Sequence, residues 1–207
     1  MLGTFLLALP AVFLIVDPIG VVPMFLAMTA GDSPEKCRAM AVRACVTAGA
    51  VLTGFALFGT VVFTFFQVTL AAFRVAGGLL LMLTALDMLR AQSPATKTSE
   101  AEKREGEAQE DIAIVPLAMP LLAGPGAIAT VMVLMAQHGG GVAAALPVIA
   151  AIVLTMGVTW VALRQAQTVK RVLRATGIAI FERVFGLILA AIAVQFVFDG
   201  GRELLKG

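Results

Sequence analysis

Asp17 is the only charged residue in the apolar run 3–29, and Pro18, Ile19 and Gly20 follow it. Proline removes a backbone donor and clashes with the preceding turn, but it suits the first position of a helix. Aspartate is a favoured N-cap. D-P-I-G therefore predicts that one helix stops and another starts in the middle of a hydrophobic segment. A second stretch, Gly124-Pro125-Gly126-Ala127, has the same character without a carboxylate. Each new helix start exposes unpaired N–H groups and the positive end of its dipole. A bare start of this kind attracts an anion such as a carboxylate. An ionised Asp17 would attract an ammonium group, Na⁺ or a proton, so a zwitterion would satisfy both breaks at once. The expected binding set is Asp17, Pro18, Ile19 and Gly20 with Gly124, Pro125, Gly126 and Ala127, and Thr29 and Thr130 supply hydroxyls nearby. The alternative is a pair of proline kinks in which Asp17 only caps its helix. Against it stands the insertion cost of a mid-span aspartate, roughly 2.5–3.5 kcal/mol, because such residues are usually functional.

These stretches must be positioned by membrane helices. Of 207 residues, 60% are hydrophobic and 14% charged, and the mean hydropathy is +0.99. Soluble domains carry about a quarter charged residues, so an all-α membrane protein is expected. A bilayer core of about 30 Å needs roughly 20 apolar residues per helix. Six segments meet that length, at 3–29, 41–65, 69–90, 112–137, 143–167 and 177–199. The first run lacks a basic leader and a small-residue cleavage site, so it is expected to be retained as a span. Residues 1–207 form one membrane domain, with 93–111 as a polar, charge-mixed linker that is expected to be flexible. If all six segments cross, Arg74, Arg202 and Lys206 fall on one face and the other twelve of the fifteen Lys and Arg fall on the opposite face. The positive-inside rule then places the 93–111 linker in the cytoplasm and both termini outside. If segments one and four were re-entrant, the split would shrink to nine against six.

The halves 1–92 and 112–207 resemble one another. R-V-A-G-G-L-L-L from Arg74 aligns with R-V-F-G-L-I-L-A from Arg183 at an offset of 109, and Pro18 aligns with Pro125 at 107. Three spans per half is an odd number, so the second half must enter from the opposite side. Two inverted three-helix repeats are the arrangement of many secondary transporters. The equivalent arginines Arg74 and Arg183 are candidate gates or site partners, although snorkelling explains each one alone.

D-P-I-G-V-V-P-M-F-L-A-M-T (Asp17 to Thr29) and P-L-L-A-G-P-G-A-I-A-T (Pro120 to Thr130) resemble the two signature stretches of the MarC family. The resemblance covers the whole chain. It implies a six-helix protein of the bacterial inner membrane, and some relatives in that family are described as neutral amino-acid transporters. The family pattern has Asn where this chain has Val21, which removes one polar group from the first break.

A transporter or exporter of a small polar solute is therefore expected, working by alternating access around the two breaks. A non-transporting membrane scaffold or stress-associated protein is the alternative. An enzyme is not expected, because the spans lack a cluster of His, Glu and Asp. Without a phosphate-binding loop, coupling to Na⁺ or H⁺ is expected rather than ATP. No metal, cofactor or nucleic acid is called for, the one His138 and the two cysteines being too few for a metal site. The partners expected are the solute and the lipid bilayer, and a homodimer would suit so small a bundle.

Overall fold

A computed structural model describes residues 2–90, 113–137, 139 and 142–205. The 93–111 linker, most of the turn after α6 and Lys206 lie outside the described residues. The chain is helical, in the order α1 (Leu2–Val16), α2 (Val21–Met28), α3 (Pro34–Phe66), α4 (Leu70–Leu89), a π-helical segment α5 (Ala113–Leu122), α6 (Pro125–Gln137), α7 (Val142–Arg164) and α8 (Ala166–Leu204). Five stretches are long and apolar enough to cross a bilayer: Leu2–Met28, Pro34–Gly59, Leu70–Leu89, Ala145–Arg164 and Ala166–Leu204. This is a multi-pass membrane protein.

The fourth apolar segment is broken where Gly124-Pro125 predicts a new helix start. It is divided at Ala123-Gly124, and its second piece, α6, has 13 residues. At 1.5 Å per residue that is about 20 Å, too short to cross alone. The first piece is wound wide: the Ala123 N–H donates to the Ala118 carbonyl, five residues back, at 2.9 Å. Pro116 and Pro120 withhold two N–H donors from the usual four-residue ladder, and the segment is wound π-helically around them.

α6 is nonetheless the centre of the molecule. Gly126, Ala127 and the whole run Ala129–Met135 are buried. A short helix buried on every side is held by its neighbours. Helix α4 approaches it through Gly77, where a Cβ would stand 3.0 Å from Ala129 Cβ. Helix α3 approaches through Gly59, which faces Met132.

The most extensive helix pairing is α4 against α8, and it is antiparallel. A Cβ on Gly78 would stand 2.9 Å from the Ala193 carbonyl oxygen and 3.0 Å from Phe196 Cβ. A Cβ on Gly186 would stand 3.0 Å from the Ala85 carbonyl oxygen and 2.9 Å from Met88 Cβ. Every member of one set lies 108 positions from its counterpart in the other (78 and 186, 85 and 193, 88 and 196). Small residues at both crossings let the backbones approach, as membrane helix interfaces require. Helix α8 also bends at Arg174, whose φ of 54° and ψ of 176° interrupt the helix.

Candidate functional site

At the first break α1 ends at Val16, and Asp17 takes a left-handed conformation with φ of 55°. Aspartate tolerates this region better than most side chains. The Asp17 carboxylate accepts a hydrogen bond from the Gly20 N–H at 3.0 Å. Its own carbonyl accepts from the Val21 N–H at 3.2 Å. These are the two bonds of an N-cap. Regular α-helix begins only at Val21, so Pro18, Ile19 and Gly20 form a turn rather than the first helical residues that D-P-I-G predicts. The Val22 N–H donates to the Ile19 carbonyl, three residues back, at 3.2 Å, so the first turn is wound tighter than α-helix. Asp17 is 5% exposed. Gly20 lies so close to the carboxylate that a Cβ there would collide with it.

At the second break α6 begins at Pro125, and the Gly124 carbonyl accepts the first intrahelical bond, from the Ile128 N–H at 3.0 Å. No side chain can cap this start, since glycine occupies the capping position. A cavity of about 10 Å³ lies against Gly124, Pro125, Gly126 and Ala127, with Ile15, Leu80, Thr84 and Leu121 as its other walls. That is roughly the room one water needs.

Ile15 joins the two breaks. It stands two residues before Asp17, and its Cδ1 would lie 3.1 Å from a Cβ on Gly126, two residues past Gly124. The end of α1, two residues before Asp17, is therefore seated on the start of α6. Thr130 is buried in the second turn of α6, and its hydroxyl donates to the Gly126 carbonyl at 2.8 Å. Thr29 is not brought to the breaks. It ends α2, donates to the Phe25 carbonyl at 2.8 Å, and borders a separate recess beside Asp32 and Arg38. The full length of α2 separates it from Asp17.

The two arginines do not reach the breaks either. Arg74 pairs with Glu203 at 2.7 Å and ties the start of α4 to the end of α8. Its Nε is buried, with no acceptor among the described residues. Arg183 is exposed on α8. At the 108-residue shift between the α4 and α8 crossings, Arg74 corresponds to Glu182 rather than to Arg183. Thr84 was not among the residues expected at the site. It is buried on α4, borders the second break, and donates to the Leu80 carbonyl at 3.1 Å. Its only mark in the sequence is a hydroxyl in the apolar run L-L-L-M-L-T-A-L. Among the described residues, no three His, Cys, Asp or Glu side chains gather as metal ligands would.

Comparison with known proteins places this sequence in a wide group. The profile of a family described as MarC family integral membrane protein matches residues 2–205. A UPF0056 membrane protein of Methanocaldococcus jannaschii is 41% identical over 97% of this chain and 97% of its own length. One from Aquifex aeolicus is 38% identical over 98% of this chain and 94% of its own. The UPF0056 membrane protein YhcE of Escherichia coli is 31% identical over 94% and 90%. No solved structure matches the chain.

Proposed function

The chain belongs to the MarC family of integral membrane proteins, and on that footing we propose that it is a secondary transporter or exporter of a small polar solute, a neutral amino acid being the class that fits best. The observation that supports this is the contact of Ile15, two residues before the break with the buried Asp17 carboxylate, with Gly126 at the bare start of α6. Asp17 supplies negative charge for an ammonium group, or for the Na⁺ or proton that drives the cycle. The N–H groups at the start of α6 supply the complementary positive end for a carboxylate. Thr84 offers a hydroxyl at the border. Binding and translocation need no bond to be made or broken, so the proposal assigns no enzymatic step.

The mechanism follows from the repeat, which we include in the proposal. Segments one to three and four to six form two inverted halves, with the matched α4 and α8 crossings 108 residues apart as support. Inverted repeats of this kind place substrate between discontinuous helices and rock one half against the other. The cavity against the second break has room for about one water in this conformation. Solute enters when Ile15 parts from Gly126. The face with twelve of the fifteen Lys and Arg is assigned to the cytoplasm.

Reconstituted vesicles test the proposal. Uptake or exchange of labelled neutral amino acids is measured with and without a Na⁺ or pH gradient, for wild type and Asp17→Asn. Wild type is expected to exceed empty vesicles, and the variant is not. If both match empty vesicles across a broad panel, the transporter assignment falls.

A further inference from the structure

Helices α3 and α7 run antiparallel, touching where a Cβ on Gly49 would stand 3.3 Å from Met156 Cγ. On the outer side of this contact lies an open apolar groove of about 760 Å³, running from Val42 and Trp160 at one end to Leu57 and Ile152 at the other. Its floor is lowered by small residues, among them Ala50, Gly54 and Gly157. A Cβ on Gly54 or Gly157 would meet nothing within 4 Å. From Val42 to Leu57 the α3 wall extends about 22 Å at 1.5 Å per residue. That exceeds half of the roughly 30 Å hydrocarbon core, so the groove spans more than the depth of one leaflet.

One helical turn beyond Val42 on α3 comes Arg38, and one turn beyond Trp160 on α7 comes Arg164. The Arg164 guanidinium lies over the Trp160 ring, 5.3 Å from its centre. Both arginines border a second recess of about 390 Å³, together with Lys170 from the start of α8. All three cations are exposed. The acid in this recess, Asp32, is held by Lys36 at 2.7 Å. The apolar groove therefore ends one helical turn from two of the three cations, Arg38 and Arg164, with the Trp160 ring between groove and recess.

We propose that this composite groove is a binding site for an anionic phospholipid, with an acyl chain lying between α3 and α7 and the phosphate held by Arg38, Arg164 and Lys170. Basic pockets at the ends of membrane helices bind anionic headgroups in this way. Aromatic rings favour the interface between tail and headgroup. A second copy of the chain would fill the apolar part, but a like-charged copy would leave the three cations without a counter-charge. Charge complementarity selects the lipid.

Trp160 is the only tryptophan in the chain, so its fluorescence reports directly from the junction. The full-length protein is placed in equimolar phosphatidylglycerol–phosphatidylcholine vesicles in which only one of the two lipids carries brominated chains. Bilayer composition and surface charge are then identical in the two arms. Stronger quenching from brominated phosphatidylglycerol is expected, with a relative association constant about fivefold above that of phosphatidylcholine. The double variant Arg38→Gln/Lys170→Gln leaves the Trp160 contact untouched and should bring the ratio to about one. Gly54→Leu/Gly157→Leu fills open space in the groove and should weaken quenching in both arms. The proposal is overturned if the two lipids quench wild type equally, or if the double variant keeps the preference. It is also overturned if Trp160 is shielded from both lipids, the outcome expected when a second copy covers the groove.

Discussion

The two helix breaks solve one problem in opposite ways. At the first, the chain supplies its own charge: Asp17 turns left-handed, caps the Gly20 N–H and remains buried. At the second, Gly124 and Pro125 open a helix that no side chain caps, and the surroundings compensate by burying α6 almost completely. The first break is held by a local bond within four residues. The second is held by Gly77 and Leu81 of α4, Gly59 of α3 and Ile15 of α1. A locally bonded break keeps its shape when its neighbours move, whereas a break held by neighbours changes when they do. The asymmetry thus sets a locally capped break against one shaped by its neighbours.

The largest expected effect comes from removing the charge while keeping the cap. Asp17→Asn retains an oxygen for the Gly20 N–H, so thermal stability in detergent should change little while solute uptake falls to background. If uptake survives, the two breaks differ in shape but not in role. Next is a matched pair of glycine changes. Gly20→Ala drives a methyl into a carboxylate already bonded to that residue's own N–H, and should cost about 1–3 kcal/mol. Gly126→Ala meets the flexible side-chain ends of Ile15 at 3.1 Å and Leu81 at 3.5 Å and should cost under about 1 kcal/mol. Thermal melts of both variants decide this, and equal losses would erase the distinction between a stiff and a yielding break.

The control lies where the halves agree. Gly78→Ala and Gly186→Ala press on carbonyls at 2.9 and 3.0 Å, so they should destabilise by similar amounts, about 1–3 kcal/mol each. Unequal melting shifts would weaken the repeat. The smallest effect belongs to Glu203→Gln. Its pair with Arg74 is half exposed on the Glu203 side, and about 0–1 kcal/mol is the range for such pairs.

Much of this architecture can be read from residue order. Apolar run lengths locate the membrane helices. Gly124-Pro125 marks the start of α6, because proline fits a first turn and glycine cannot continue the previous one. Two features depend on partners distant in the chain. Nothing local predicts that 13 residues too short to span will sit at the centre, since that follows from glycines on α3 and α4. Thr84 and Thr29 illustrate the same limit. Both are isolated hydroxyls in apolar surroundings, and only packing brings one to the second break and carries the other to a separate recess. The wide winding of α5 is an intermediate case, because its two prolines are visible but the π-helical winding around them is not.

The Gly78 and Gly186 crossings carry a mechanical consequence. Each is a notch in which one helix backbone rests against the carbonyl of the other, and the two notches lie about 12 Å apart along α4. A rod held at two such points resists sliding lengthwise, because a shift would bring Cβ-bearing neighbours into both notches together. Gly200 adds a third close approach on the same pair, where a Cβ would stand 2.7 Å from the Ala71 carbonyl oxygen. The α4–α8 pair is thus locked in register along its length.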